Sequence, residues 1–220
     1  MCRRRLSFAK GIQPLLLAGL LSVTGLHAQG GVIDFESDRW VLKTADVTTH
    51  LGRKCLSGYA CLKDVEFEDG IIEVDIAVDD TKTRSYPGII FRMQSEENYE
   101  RLYIRPHRAP LYSDALQYTP VFNGIAGWQL YNGEGFTALC TIPDSEWVHV
   151  EVEVSGTQAR VYVGDNQEPA LVIRDLKHGV SKGTVGLFGD RGGVAWFSNF
   201  KYRIDNGLEF APPLAWIFPN

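Results

Sequence analysis

The sequence lacks the patterns that mark helical proteins and the commoner enzyme classes. No stretch of useful length repeats apolar residues with the period of a helix. It contains no HExxH motif, no glycine-rich phosphate loop and no Ser-His-Asp order of a hydrolase triad. These absences argue against a helical bundle, a nucleotide-binding enzyme and a zinc protease.

Long apolar runs are confined to the N-terminus. Residues 15–23 form a short apolar stretch that follows the basic residues 3–5 and Lys10, and Ala28 offers a small residue for cleavage. This arrangement predicts a secretory signal peptide over residues 1–28, and therefore a periplasmic or secreted protein. No later run is long enough to span a bilayer, so we expect no membrane span.

Basic residues are also scarce beyond the signal peptide. The chain has 22 Lys and Arg against 27 Asp and Glu, and residues 1–28 contain four of the basic residues and no acidic residue. Removal of that segment leaves 18 basic and 27 acidic residues, a net charge of −9. Without a basic run, an acidic protein of this kind is not expected to bind nucleic acid or an anionic membrane surface.

Cysteine is rare, and its spacing fits no zinc-ligand pattern. Cys55 and Cys61 bracket a turn-like segment that contains Gly58, whereas Cys140 follows Leu139. In an oxidising compartment, the first two cysteines could face each other across a hairpin, so we predict a disulfide between them. Cys140 is predicted to be a buried thiol.

Short β-rich runs separated by Gly, Asp, Asn, Pro and Ser fill the chain after the signal peptide. Such spacing predicts an all-β fold, an antiparallel β-sandwich or barrel, over residues 29–205. The predicted strands include residues 32–36 and residues 128–131, and in the second of these Leu130 should be buried between Gln129 and Tyr131. The final segment, residues 206–220, contains three prolines together with aromatic residues. The prolines exclude a central strand, and the aromatic residues predict that this segment packs back on the sandwich.

Six short sequence segments, taken in their order along the chain, resemble a known family. They are DGIIEVDI at 69–76, GIIFR at 88–92, WVHVEV at 147–152, ARVYV at 159–163, GTVGL at 183–187 and AWFSNF at 195–200. Together they resemble the concanavalin A-like lectin/glucanase superfamily, especially its laminin-G-like bacterial members. The resemblance implies a jelly-roll β-sandwich with a concave binding sheet that commonly binds carbohydrate.

Large polar and aromatic residues alternate with apolar ones between residues 88 and 131. Because side chains alternate along a strand, Arg101 and Tyr103 should share one surface while Leu102 and Ile104 enter the core. The same parity argument predicts one ligand-binding face, made of Arg92, Arg101, Tyr103, Arg105, His107, Gln117, Trp128, Gln129 and Tyr131. The competing interpretation is a solvated sheet face on which Glu97 and Glu100 pair with the arginines.

A face of Arg, Gln and aromatic side chains suits sugar hydroxyls and sugar C–H surfaces. We therefore predict a lectin-like protein without catalysis of its own, which binds a neutral or anionic glycan. A glycoside-processing hydrolase and a protein-adhesion module are the alternatives. In the hydrolase alternative, His107, Glu100 or Asp114 would act near the arginines.

An acidic strand face provides a second candidate site. Glu73, Asp75 and Asp79 alternate with apolar residues. The glucanases of the superfamily use a Glu-x-Asp strand with a second Glu, but Ala77 and Val78 occupy the positions where that Glu would stand. Because the second Glu is missing, the sequence argues against glucanase chemistry on this strand.

No cofactor is expected. A structural Ca²⁺ ion is one option, held by Asp34 and Glu36 together with Asp190 or Asn199, because Ca²⁺ prefers several hard oxygen ligands. Hydrogen-bonded carboxylates near turns are the interpretation that we favour for these residues.

Overall fold

The computed structural model describes residues 30–189 and 195–210. The predicted signal peptide lies outside these residues, as do residues 211–220 of the predicted C-terminal segment. In the described part, the strands are β1 (Trp40–Leu42), β2 (Asp46–His50), β3 (Arg53–Ser57), β4 (Tyr59–Leu62), β5 (Gly70–Val78), β6 (Gly88–Ser95), β7 (Asn98–Ile104), β8 (Leu116–Phe122), β9 (Ile125–Ala126), β10 (Thr137–Ala138), β11 (Trp147–Ser155), β12 (Gln158–Val163), β13 (Leu171–Ile173), β14 (Thr184–Phe188) and β15 (Ala195–Ile204). One turn of 3₁₀-helix covers Pro106–Arg108. The described residues include no helix long and apolar enough to cross a membrane.

The strands form two antiparallel sheets, which confirms the predicted sandwich. The front sheet has the order β1-β4-β14-β6-β7-β8-β10, and β9 also pairs with β8. The back sheet has the order β13-β12-β11-β5-β15-β3-β2. Many spatial neighbours are distant in sequence, because the chain crosses repeatedly between the two layers.

The core lies between the sheets and follows the two-residue period of the strands. In β11, Val148, Val150, Val152 and Val154 are buried, whereas the residues between them are partly exposed. The central strand β6 is instead buried on both faces from Gly88 to Met93. On its outer face, Ile90 and Met93 form a small second apolar cluster with Cys61.

A β-bulge in β6 overturns the predicted position of Arg92. Its φ of 49° is left-handed, and the register of β6 against β7 shifts between Phe91 and Ser95. The bulge turns the Arg92 side chain away from the outer face, where parity would have placed it. The guanidinium is fully buried and donates hydrogen bonds to the carbonyl oxygens of Glu68 (2.8 Å), Gly156 (2.6 Å) and Gly179 (2.9 Å).

Arg92 is therefore a structural residue rather than part of a binding face. Its Nη2 also lies 2.9 Å from Oδ1 of Asp69, and the same oxygen accepts a hydrogen bond from the Gly156 amide. The side chain thus ties together three loops at one rim of the sandwich. A buried guanidinium requires such a complete set of acceptors, because an unpaired buried charge is very costly.

Two strands predicted from the sequence are absent. Residues 32–36 contain turns, and residues 128–131 form a turn in which the Leu130 amide donates to the Gly127 carbonyl at 2.8 Å. Leu130 is consequently 80% exposed rather than buried. The prediction that Gln129 and Tyr131 lie on the face opposite a buried Leu130 is wrong, because it required residues 128–131 to form a strand.

The predicted disulfide between Cys55 and Cys61 is also wrong, because both thiols are free. Cys55 lies in β3 of the back sheet, whereas Cys61 lies in β4 of the front sheet. The intervening turn carries the chain from one layer to the other instead of closing a hairpin. Cys140 is buried as a free thiol, as predicted.

The described part of the C-terminal segment contacts the back sheet. The carbonyl oxygen of Leu208 accepts a hydrogen bond from the Ser155 hydroxyl, and Cζ of Arg160 lies 4.3 Å from the ring centroid of Phe210. These contacts join residues 208–210 to β11 and β12. The rest of the segment predicted to pack on the sandwich, residues 211–220, lies outside the described residues.

Substitution of Arg92 tests its structural role. We expect Arg92→Met to lower the free energy of unfolding by about 3–5 kcal/mol, because Asp69 and three carbonyl groups would lose their donor. Urea denaturation measures the change. The matched variant Arg174→Met, at an exposed position after β13, should change stability by less than about 0.5 kcal/mol. Equal effects of the two substitutions would contradict this role.

Candidate functional site

A cleft of about 540 Å³ opens on the outer face of the front sheet. We call it the arginine cleft, and its lining residues are Tyr86, Arg101, Tyr103, Arg105, His107, Arg108, Asp114, Thr119, Ala126, Trp128 and Phe188. The alternation of β7 points Arg101 and Tyr103 outward while Leu102 and Ile104 pack in the core. Strand parity therefore sets the centre of the cleft.

Arg101 lies against aromatic rings of the cleft. Its Cζ is 3.9 Å from the ring centroid of Phe188 and 4.6 Å from that of Tyr103. Nη2 donates a hydrogen bond to the Tyr86 carbonyl oxygen at 3.1 Å. The stacked geometry holds a charged group in an apolar setting, as is typical of cation–π contacts.

Two further arginines of the cleft flank one carboxylate. Nη1 of Arg105 lies 2.7 Å from Oδ2 of Asp114, and Nε of Arg108 lies 2.8 Å from Oδ1. Arg105 also donates to the Tyr103 hydroxyl at 3.0 Å, and its Cζ lies 5.4 Å from the Trp128 ring centroid. Both Asp114 oxygens are thus engaged, and the guanidinium groups are held in place.

Gln117 lies behind the cleft and positions two of its walls. Its Oε1 accepts a hydrogen bond from the Tyr103 hydroxyl at 2.7 Å, and its Nε2 donates to the Trp128 carbonyl at 2.9 Å and to the Tyr131 carbonyl. The side chain is almost fully buried. Gln117 therefore fastens the turn that carries Trp128 to the sheet that carries Tyr103.

The structure brings together five of the nine residues predicted for the binding face. These five are Arg101, Tyr103, Arg105, His107 and Trp128. Gln117 supports the cleft from behind, Gln129 is exposed to solvent outside it, and the Tyr131 ring packs on Phe136 with centroids 5.5 Å apart. Arg92 lies in the interior, as described above.

Sequence reasoning did not assign several lining residues to the binding face, some on loops and some on strands. Tyr86 precedes β6, and Arg108 belongs to the connection between β7 and β8, whereas Asp114 of the same connection had been named only in the hydrolase alternative. Thr119 could have been found by parity, because it is two residues beyond Gln117 on β8 and pairs with Arg101. The loop residues follow no periodic pattern, so no comparable signal marks them.

Two polar groups of the cleft have no hydrogen-bond partner among the described residues. They are the hydroxyl of Thr119, a residue only 1% exposed, and Nδ1 of His107. Burial lowers the pKa of His107 below its ordinary 6.5, and the positive charges of Arg84, Arg105 and Arg108 lower it further. The imidazole is consequently neutral near pH 7 and can both donate and accept a hydrogen bond.

Glu100 does not belong to the cleft. It faces the core, on the opposite side of β7 from Arg101, and is fully buried. Its carboxylate accepts hydrogen bonds from the Tyr118 hydroxyl at 2.7 Å and the His178 amide at 3.0 Å, and burial raises its pKa. The structure thus contradicts both earlier roles of Glu100, as a cross-strand partner of the arginines and as an acid in the cleft.

The acidic strand face lies on the outer side of the back sheet. His149 bridges two of the three predicted carboxylates, with Nδ1 2.8 Å from Asp75 and Nε2 3.4 Å from Glu73, whereas Asp79 pairs with His50 at 2.8 Å. Asp75 also pairs with Arg53 at 2.6 Å, and Glu73 pairs with Lys201 at 2.6 Å. Cross-strand pairing of β5 with β11 creates this arrangement, which we call the histidine ladder.

The histidine ladder also contains a geometric candidate for a metal centre. Glu73, His149 and Glu151 place ligand atoms within 4.8 Å of one another. The pKa of His149 is raised to about 9, because hydrogen bonds to Asp75 and Glu73 stabilise the imidazolium. An imidazole protonated on both nitrogens has no lone pair to give a metal, so the contacts favour an ion-pair ladder.

A second cleft, of about 610 Å³, adjoins the histidine ladder. Arg53, Asp75, Trp147 and His149 line it, and Cζ of Arg53 lies 5.2 Å from the Trp147 ring centroid. Asp75 already accepts hydrogen bonds from Arg53, His149 and the Asn199 amide. Arg53, Asp75 and His149 of this back-sheet cleft are therefore paired with one another.

Lys54 pairs with the two carboxylates, Asp34 and Glu36, that were considered as ligands of a structural Ca²⁺ ion. Nζ of Lys54 lies 2.7 Å from Glu36 and 3.4 Å from Asp34. Asn199 donates to Asp75 instead of approaching these carboxylates, and Asp190 lies outside the described residues. An ammonium group therefore takes the place that the option gave to Ca²⁺.

No protein-family model and no curated protein matches the chain. Its fold is similar to the carbohydrate-binding module CBM66 from Bacillus subtilis, with a TM-score of 0.56 and 18% identity over 75% of this chain and 95% of that one. A protein of unknown function with a galectin-like fold from Bacillus subtilis has a TM-score of 0.53 and 12% identity, over 80% and 96% of the two chains. A xylan beta-1,4-xylosidase from Bacillus halodurans C-125 gives a TM-score of 0.53 and 14% identity over 78% of this chain and 38% of its own. At these identities the likeness shows the fold alone, an antiparallel β-sandwich.

The histidine ladder should make stability depend on pH. Because the folded protein raises the pKa of His149 from 6.5 to about 9, its contribution is complete below pH 6.5 and disappears as the pH rises through about 9. We expect the free energy of unfolding to fall over this range, and the fall to be smaller in His149→Gln. Urea denaturation at a series of pH values measures both. Parallel pH profiles for the two proteins would contradict the role of His149.

Proposed function

We propose that this chain is an exported, lectin-like carbohydrate-binding protein that holds a glycan in the arginine cleft. The observation that carries the proposal is the half-exposed Trp128 ring beside the guanidinium group of Arg105, in a cleft that Arg101 also lines. A sugar ring offers C–H faces that pack on an aromatic ring and hydroxyls that bond to Arg, Thr and His. The unpartnered hydroxyl of Thr119 supplies a further group for such a ligand.

The similarity in fold to a carbohydrate-binding module supports this proposal, and the N-terminal sequence supports export to the periplasm or the exterior. The finer relation to laminin-G-like proteins belongs to the proposal as well. Its basis is the set of six sequence segments described above, several of which form the strands β5, β6, β11 and β12.

A glycoside hydrolase acting in the same cleft is the principal alternative. Such enzymes use two carboxyl groups, separated by about 5 Å in retaining and about 6.5–9.5 Å in inverting enzymes. Of the described residues that line the cleft, only Asp114 has a carboxylate, and Arg105 and Arg108 engage both of its oxygens. The arrangement favours binding over acid–base chemistry.

A protein-adhesion module is the other alternative, and it would present a flat apolar patch. The arginine cleft is recessed, and its walls combine charged groups with aromatic rings. A polar ligand that inserts into the cleft is more compatible with these walls than a flat protein surface.

Trp128→Ala tests the proposed binding site. We expect binding of the best glycan from an array to weaken by about 1 kcal/mol, because the sugar loses its aromatic contact. Leu130→Ala is the matched control, since Leu130 lies on the same turn, is 80% exposed and does not line the cleft. Calorimetric titration gives the affinities, and thermal unfolding shows whether either variant is destabilised.

Equal weakening by Trp128→Ala and Leu130→Ala would place the glycan outside the cleft. A reducing-sugar assay on the same glycan addresses the hydrolase alternative, and we expect no release above the blank. Tyr103→Ala is a poor probe of binding, because Tyr103 is buried and bonded to Gln117 and Arg105, so its loss would also reduce stability.

A further inference from the structure

The charge of the arginine cleft is opposite to that of the chain. Arg101, Arg105 and Arg108 line it, and Asp114 is the only acidic residue among its described lining residues. The chain as a whole has a net charge of −5. Positive charge is therefore concentrated in one recessed site of an acidic protein, an arrangement that attracts and retains an anion.

We propose that the ligand of the arginine cleft is an anionic glycan whose carboxylate or sulfate group lies among Arg101, Arg105 and Arg108. The inference rests on the proposed carbohydrate-binding function and specifies its ligand class. Guanidinium groups pair with planar and tetrahedral oxyanions through two parallel hydrogen bonds, and they are weakly hydrated compared with ammonium groups. Neutral sugars require neither property.

The buried hydroxyl of Thr119 gives independent support for a polar ligand. Thr119 is 1% exposed and lines the cleft, and its Oγ1 has no hydrogen-bond partner among the described residues. Buried polar groups in folded proteins almost always have partners, so an unpartnered one facing a cleft marks a place where a ligand or water bonds. A hydroxyl can donate to an oxyanion as readily as to a sugar oxygen.

His107 couples the charge of the ligand to proton binding. The groups that act on it are Arg84, Arg105, Arg108 and Asp114, and the Tyr86 ring packs edge-on against it. An anion bound among the arginines would offset their charge and raise the lowered pKa of His107. Binding should then take up protons at pH values below the ordinary histidine pKa of 6.5, whereas binding of a neutral glycan should not.

Matched pairs of oligosaccharides provide the test. A galacturonate tetramer and its carboxyl-reduced form examine the carboxylate, and a sulfated galactan oligosaccharide and its desulfated form examine the sulfate. We expect the anionic member of at least one pair to bind on the order of tenfold more tightly, the gain expected from a charge-assisted hydrogen bond. The preference should shrink when sodium chloride is raised from about 50 to about 500 mM, because salt screens the charges.

Substitutions test whether the preference for the anionic oligosaccharide arises in the arginine cleft. Arg101→Gln and Arg108→Gln should each reduce the preference for the anionic member several-fold, whereas Arg174→Gln, which removes an exposed charge after β13, should leave it unchanged. Calorimetry in two buffers of different ionisation enthalpy measures proton uptake, which His107→Asn should abolish. Circular dichroism verifies that each variant is folded.

Tighter or equal binding of the neutral members would overturn the inference and leave the carbohydrate-binding function intact. An equal effect of Arg174→Gln would also overturn it, since the charge would then act from the whole surface. Failure of the protein to bind any glycan on an array would instead overturn the proposed function.

Discussion

The alternation of side chains along β7 is the constraint on which the site depends. Leu102 and Ile104 pack in the core, so Arg101 and Tyr103 must stand on the outer face of the front sheet. β6 and β8 flank β7 on both sides and fix its register, so a slip of one residue would expose two apolar side chains and bury an arginine. The hydrophobic effect thereby maintains the geometry of a polar site.

The features that the sequence could predict are those that follow this period. It predicted the antiparallel sandwich and the outward position of Arg101 and Tyr103, because both depend on alternating burial. Arg92 does not follow the alternation of β6, because its left-handed backbone conformation forms a bulge that shifts the register. No residue type in this segment of the sequence predicts the bulge. The predicted disulfide between Cys55 and Cys61 is wrong because the turn between them connects two different sheets. In sequence, such a turn resembles the turn of a hairpin.

Polar networks in this sandwich have two distinct purposes. Arg92, Glu100 and Asp69 satisfy buried groups within the protein, and the histidine ladder pairs charges across neighbouring strands of the back sheet. The arginine cleft differs, because it combines an exposed Trp128 ring with the unpartnered hydroxyl of Thr119. Such a combination leaves contact surface and bonding capacity for a ligand, and this difference separates the candidate site from structural networks of similar composition.

The location of the bound glycan is the central claim, and the indole N–H signals in an NMR titration test it most directly. Trp128 lies in the arginine cleft, whereas Trp147 lines the back-sheet cleft and Trp196 stacks on His50 of the back sheet. Titration with the best glycan from an array should shift the Trp128 signal, assigned with Trp128→Phe, and leave those of Trp147 and Trp196 in place. A shift of Trp147 or Trp196 with Trp128 unchanged would place the ligand on the other sheet and contradict this account.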